Sequence, residues 1–311
     1  MGLSSSYKLM KNSIVAFVAK YVPVSDQSGP PPFPPIIGTG FVVHEDGLIA
    51  TNAHVVTAFR DIQGPLDATR KEWPAGCILL RPRGLGMVGI PLEIIGAISL
   101  TQVIPRGVPY YGPPNGPDLA FIQVNARGLP AVRLYGGEAI EEGTEVATAG
   151  FPMGIDALMS PGWMHQMTPT LQRGIVSAVL PFPGPTPHAY AVNLMVQGGA
   201  SGSPVFLSDS GDVVGVLYAN LNDTRVAFRR TEGEPEQFPY TVPTNISYVV
   251  PSHYLRAALE QIPKQIPEVA ASLNDAKTID EIIAAIELND GAEPKFAQWT
   301  LKEANFPSSK M

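Results

Sequence analysis

Residues 38–56 read GTGFVVHEDGLIATNAHVV. Two apolar runs, Phe41–Val43 and Leu48–Ala50, flank the tetrapeptide His44-Glu45-Asp46-Gly47. Asp-Gly between such runs predicts a β-hairpin, because glycine supplies the positive φ that a tight turn needs. His54 stands where the alternating pattern stops, with small residues before it and two valines after. A lone histidine is more often a packed structural residue than a base, so the rest of the chain has to decide between the two.

Similar runs recur on both sides of this hairpin. SIVAFVAKYV (13–22) precedes it, across the proline-rich SGPPPFPP (28–35); CILLRP (77–82), GIPLEIIGAI (89–98) and LAFIQVN (119–125) follow. A second series comprises EVATAGFP, RGIVSAVL, AYAVNLMV, SPVFLS, VVGVLYAN and ISYVVP, the last ending at Pro251. Two sets of about six short strands predict an all-β fold of two packed antiparallel six-stranded β-barrels, about 13–125 and 130–251. After Pro251 the pattern turns helical. A helix is expected from Ser252, and Thr278 with Glu281 forms a capping box before Ile279, Ile282, Ile283 and Ile286 at helical spacing. EPKFAQWTLKEANF (293–306) is read as a further short helix, so 252–311 is expected to be a helical extension on a 1–251 domain. Its isoleucine face is expected to dock on the second barrel or on a partner.

Composition narrows the function. The 311 residues are 45 % hydrophobic and 16 % charged, with net charge −7 and no basic stripe. Nucleic acid is therefore disfavoured as a partner, since phosphate recognition needs clustered positive charge. The 32 prolines suit a loop-rich β protein. Cys77 is the single cysteine, which excludes an intramolecular disulfide. The N-terminal apolar stretch is interrupted by Lys20, too short to span a membrane and followed by no cleavage signal, so a cytoplasmic, membrane-free protein is expected. Gly2 and Ser6 match a myristoylation pattern that lacks a second membrane signal.

Three stretches carry chemistry. His54 is one; Asp118 opens the strand in GPDLAFIQV; Ser201 lies in QGGASGSPVF. Taken singly, each has a structural reading: a packed histidine, a loop end, a glycine turn. Together they meet the needs of nucleophilic catalysis. A serine hydroxyl requires a base within hydrogen-bond reach. The base requires a carboxylate to fix its tautomer. The nucleophile must also sit beside backbone amides aimed at a developing oxyanion, which Gly198-Gly199-Ala200-Ser201-Gly202 suits. It is not a nucleophile elbow, because residue 203 is serine and a strand follows.

TNAHVV, DLAFIQV and GGASGSPVF, in the order His, Asp, Ser, resemble the trypsin-like serine peptidases of chymotrypsin fold, most of all the HtrA/Deg type. VATAGFPMG, RGIVSAV, GDVVGVLYAN and ISYVVPSHYLRAAL are similar to further strands of that type, and the likeness covers 13–262. The resemblance implies a serine endopeptidase acting on extended or unfolded polypeptide through an acyl-enzyme, without cofactor or metal. It implies Ser201 as nucleophile, His54 as general base then acid, Asp118 as orienter, and the Gly199 and Ser201 amides as oxyanion hole. For substrate binding it implies Met195 at the base of the S1 pocket, Asn220 on its wall, and Tyr218, Ala219 and Asn220 pairing the substrate as an added strand. A small or medium apolar P1 residue is expected, with a basic P1 near Asp223 as the minor alternative. HtrA-type relatives often trimerise, which leaves a homo-oligomer open.

The chain departs from the pattern in places. Ala200 replaces the aspartate of zymogen-activated trypsins, and Gly198 stands where HtrA-type chains carry proline, which softens the loop. No PDZ domain is expected in 252–311. A protease-fold peptide-binding or chaperone-like module with weak or gated turnover is the competing reading. Outside the constellation, His44-Glu45-Asp46 reads as a solvated turn, His165 and His188 as loop histidines, Tyr110 and Tyr111 as part of a proline-rich spacer, and Cys77 as a small buried hydrophobe.

Overall fold

The computed structural model describes residues 2–23, 35–62, 73–83, 86–100, 116–152, 168–194, 197–229, 236–265, 276–289 and 302–304. The first half holds β1 (Ile14–Ala19), β2 (Tyr21–Pro23), β3 (Ile36–His44), β4 (Leu48–Thr51), β5 (Ala75–Arg83), β6 (Gly86–Leu92), β7 (Ile94–Ser99) and β8 (Ala120–Val124). Seven of these form one antiparallel sheet in the order β6-β5-β1-β3-β4-β8-β7. Only Glu93 separates β6 from β7, yet the two lie at opposite edges. The sheet therefore curls round on itself, and the run read from sequence as one strand is two. The second half is a closed six-stranded barrel. Its strands are β9 (Glu145–Gly150), β10 (Thr170–Leu180), β11 (Ala189–Val192), β12 (Pro204–Leu207), β13 (Val213–Arg229) and β14 (Glu236–Pro251).

The two-residue alternation of strand geometry builds two cores from one strand. All six residues of β1 are buried. Ile14, Ala16 and Val18 join a cluster with Phe41, Phe121, Ala147, Phe206 and Val250, which lies between the halves. Val15 and Phe17 point the other way, with Val42, Ile49 and Ile122, into the first half. A third cluster around Val146, Val205, Leu217 and Val249 fills the second barrel. Removing each of the valine, isoleucine and phenylalanine side chains from water contributes about 1.5–3 kcal/mol, so the seam between the halves is a core in its own right. That seam fixes the relative position of any residues placed along it.

The hairpin turn is as expected. Gly47 has φ +86°, and a Cβ there would lie 2.5 Å from the Ala126 carbonyl oxygen. The N-terminal ten residues hold a helix that the sequence reading missed, Leu3–Met10. It docks on the second half: buried Ser6 donates to the Ser208 carbonyl at 3.1 Å and Tyr7 to that of Pro169 at 2.6 Å. Among the described residues, no helix is long and apolar enough to cross a membrane.

Helices follow at Ser252–Gln265 and Ile279–Asn289. The capping box forms: the Thr278 N–H donates to Glu281 Oε2 at 2.7 Å and the Glu281 N–H to Thr278 Oγ1 at 3.2 Å. These bonds hold the Glu281 carboxyl below the usual range. Their contribution is present above the ordinary carboxylate pKa and is lost as the pH falls through the lowered one. Thr278→Ala is expected to cost about 1 kcal/mol in urea unfolding. The isoleucine face docks on the first half rather than on the second barrel or a partner. Ile279 is buried with Val55 and Leu129, with Ile282 and Ile283 packed alongside. The reason lies outside the helix, since Arg127 receives the incoming chain through its N–H and C=O. A second correction concerns the end of the chain, where 302–304 is not helical. It forms β15 (Lys302–Ala304), parallel to β2. Pairing with the short strand β2, as a separate two-stranded sheet, overrides weak local helix propensity there.

Candidate active site

Asn52 is the N-cap of a helix at Ala53–Asp61, so His54 lies in a helical first turn rather than at the end of a strand. The Asn52 side chain makes no cap bond to this helix. Its Nδ2 instead donates to the backbone carbonyl of Asp118 at 2.8 Å. The cap comes from Asp118: the His54 N–H, one of the orphan donors of the first turn, donates to Asp118 Oδ1 at 3.0 Å. The other carboxylate oxygen, Oδ2, lies 2.5 Å from His54 Nδ1. One carboxylate thus fixes both the backbone and the ring of His54. The positive end of the helix dipole favours a negative charge at that point. The arrangement places the Nδ1 proton toward Asp118 and leaves Nε2 as the acceptor. Side-chain exposure is 48 % for His54 and 23 % for Asp118, so the pair opens to solvent from the imidazole side.

Ser201 follows a turn closed by the Ala200 N–H donating to the Gln197 carbonyl at 3.1 Å, with Gly199 at φ +89°. The Gly202 N–H donates to the Leu217 carbonyl at 2.9 Å, and the Ser203 N–H to that of Ala200 at 3.0 Å. Among the described residues, the Gly199 and Ser201 amides donate to no protein acceptor. They are the two assigned to the oxyanion hole by sequence. An added Cβ at Gly198 meets nothing within 4 Å, so packing does not demand glycine there.

Thr39, which the sequence reading missed, ties this loop to the first half. Its N–H donates to the Ser201 carbonyl at 2.9 Å. Its hydroxyl donates to the Gly199 carbonyl at 2.8 Å and accepts from the Phe151 N–H at 3.1 Å. Its own carbonyl accepts from Thr51 Oγ1 at 2.8 Å, and Thr51 stands three residues before His54. The β3–β4 hairpin therefore carries the His54 helix on one end and holds the Ser201 loop on its floor. Thr39 is wholly buried. Thr39→Val leaves the Phe151 amide without its partner at a cost of about 1–3 kcal/mol. It is expected to slow phosphonylation of Ser201 by an active-site fluorophosphonate about tenfold, read as the rate of mass-adduct formation.

His54 and Asp118 are in direct contact, and the Ser201 loop lies on the hairpin that leads to His54. No hydrogen bond joins Ser201 Oγ to His54 among the described residues. Tyr218, Ala219 and Asn220 continue β13 just past Leu217, whose N–H donates to the Ser203 carbonyl at 3.0 Å. Met195, His165, Tyr110 and Tyr111 lie outside the described residues. Asp223, the residue behind the minor expectation of a basic P1, already has a cationic neighbour. It sits farther out on exposed β13 and accepts from Arg225 Nε at 2.8 Å. His44 and Asp46 form the solvated turn expected, with the Asp46 N–H donating to His44 Nδ1 at 3.2 Å. Cys77 is fully buried, which pushes its thiol pKa up and leaves it inert. Among the described residues, no group of His, Cys, Asp and Glu side chains is clustered to hold a metal.

This site lies inside a recognised family segment. Residues 38–216, more than half of the chain, match the model of the trypsin-like peptidase domain. The chain belongs to that family. Curated relatives named "Probable periplasmic serine endoprotease DegP-like" include one from Halomonas elongata, 28 % identical over 180 residues, and one from Pseudomonas fulva, 29 % identical over 183. Each match covers 58 % of this chain and 28 % of the relative, so the chain spans well under half the length of these proteins. The solved HtrA-type protease AlgW with tripeptide overlaps 84 % of this chain and 64 % of its own at 14 % identity, with a TM-score of 0.49. The relatives correct one expectation from sequence. They are named periplasmic, against the cytoplasmic location read from the N-terminus.

Proposed function

We propose that this chain is a serine endopeptidase that cleaves extended or unfolded polypeptide through an acyl-enzyme, with Ser201, His54 and Asp118 as its triad. The observation that carries the reading is the two-point hold of Asp118 on His54, through Nδ1 at 2.5 Å and the backbone N–H at 3.0 Å. A carboxylate so placed selects the tautomer in which Nε2 accepts a proton. Ser201 Oγ attacks the scissile carbonyl carbon as its proton passes to His54 Nε2. The Gly199 and Ser201 amides receive the negative oxygen, a contribution of roughly 2.7–4 kcal/mol per donor in comparable sites. The intermediate collapses as His54 returns the proton to the leaving amine. Water then attacks the acyl-enzyme with His54 again as base, which releases the acid product and restores Ser201. Tyr218, Ala219 and Asn220 bind the substrate as an added strand. The reaction draws on no cofactor.

A fluorophosphonate and intact-mass analysis test this directly. One adduct per native chain is expected, and none on Ser201→Ala. A competing reading, a peptide-binding module with weak or gated turnover, is favoured by the missing hydrogen bond between Ser201 Oγ and His54. Under that reading the native, folded chain takes no adduct while still binding extended peptide.

A further inference from the structure

The strand that passes the nucleophile loop runs far beyond the barrel. β13 pairs with β12 only between Val213 and Val216, but with β14 as far as Arg229. From Leu221 to Arg229 the two strands form a projecting arm that is largely exposed. On the side of β13 away from β14, no strand covers this stretch among the described residues.

The two edges of the arm are unequal. Pro239 and Pro243 stand opposite Val226 and Asn222. Proline has no N–H, so it fits a ladder where that position faces away from the partner strand. Backbone groups alternate along an antiparallel pair. Residues of the same register on β13, namely Asn222, Thr224, Val226 and Phe228, therefore turn their N–H and C=O groups outward. The β14 edge lacks donors at both prolines and is a poor template for pairing. β13 contains no proline from end to end, so its edge is complete.

The two faces differ as well. Opposed residues share a face, so Asn222, Thr224, Val226 and Phe228 lie with Gln237, Pro239, Thr241 and Pro243 on a surface without charge. Val226 is 55 % and Phe228 65 % exposed there. Asp223, Arg225 and Arg229 occupy the other face, where Arg225 bonds Asp223 and Arg229 lies over the Phe238 ring at 5.8 Å.

We propose that the outer edge of β13 from Asn222 to Phe228 is an extended subsite that binds the substrate chain upstream of the scissile bond as an added strand. The proposal rests on the endopeptidase reading for its direction. Every pairing in this barrel is antiparallel. A strand added at Tyr218–Asn220 therefore runs opposite to β13, and its N-terminal side continues along the arm. The occupant is an uncharged, alternating segment. Its side chains at every second position meet Val226 and Phe228 and are apolar, while those between face Arg225 and Asp223 and are polar. Main-chain pairing supplies affinity and the alternate side chains supply selection.

The test uses two fluorogenic peptides with the same residues around the scissile bond, one extended upstream by eight residues of alternating apolar and polar character. The longer peptide is expected to show kcat/KM about tenfold higher or more, chiefly through KM. N-methylation of alternate upstream amides, which removes the pairing donors without touching the protein, is expected to abolish the gain. In Val226→Glu/Phe228→Glu the ratio of long to short peptide is expected to fall toward one. Equal kcat/KM for long and short peptides overturns the proposal. So does sedimentation of the native chain as a dimer that the double variant breaks, since a second copy then occupies the edge. If the native chain takes no fluorophosphonate adduct, the endopeptidase reading fails separately. Anisotropy of the labelled peptides on Ser201→Ala still decides the arm: tighter binding of the long peptide, lost on N-methylation, supports it, and equal binding overturns it.

Discussion

His54→Ala is expected to lower the kcat/KM of peptide hydrolysis by about 10⁶-fold, and Asp118→Asn by about 10⁴-fold. The two losses have different physical origins. Alanine at 54 removes the proton acceptor, so Ser201 keeps its hydroxyl proton and remains a weak nucleophile. Asparagine at 118 can still accept from the His54 N–H through its oxygen, but then turns an NH2 group toward Nδ1. The ring responds by placing its proton on Nε2, where the serine proton has to go. Thermal unfolding separates these effects from damage to the fold. His54 is solvent-exposed on its ring, so its alanine variant is expected to melt with the native chain. Asp118→Ala also uncaps the Ala53–Asp61 helix, whose own N-cap side chain makes no cap bond. That variant is expected to lose about 1 kcal/mol of stability. Equal activity of Asp118→Asn and the native chain would count against Asp118 as the orienter.

Gly202→Ala is expected to disrupt the Ser201 loop itself. Gly202 has φ +87°, and a Cβ there would lie 2.0 Å from the Thr39 carbonyl oxygen and 2.3 Å from Thr51 Oγ1. The left-handed backbone costs about 1–3 kcal/mol for a residue with a side chain. Overpacking costs about 1–3 kcal/mol more. Relief requires the loop to back away from Thr39, the residue that also holds the Ser201 and Gly199 carbonyls. Loss of several kcal/mol in urea unfolding is therefore expected together with loss of phosphonate labelling. Gly198→Ala is the matched control, because its added Cβ enters open space. Labelling of Gly202→Ala at the native rate would show that the Thr39 clamp does not position Ser201.

Features set by a few neighbouring residues were readable in the chain. Asp46-Gly47 specified its turn because only the local backbone decides whether φ is positive. Thr278 and Glu281 specified a helix start because their two bonds close within four residues. Short apolar runs such as Ile14–Ala19 specified strands buried on both faces, since alternate side chains must reach opposite faces. His54, Asp118 and Ser201 were legible as candidates through residue type, order and the glycines around the serine. What they touch was not. The helix beneath His54 went unread, because its first turn is capped by a carboxylate 64 residues away. Thr39 gave no signal at all; its importance comes from four bonds to partners on other segments.

The sequence by itself therefore determined the β character, the punctuation between strands and the chemical inventory of the site, each of which depends on short-range sterics or residue chemistry. Tertiary structure decided which surfaces meet. It set Ile279 against the first half through Arg127, split 86–99 into two strands at opposite edges, and drew 302–304 into a strand beside β2. It also carried β13 and β14 out beyond the barrel as a paired arm. Burial and strand pairing are properties of distant segments brought together, and no window of neighbouring residues contains both partners.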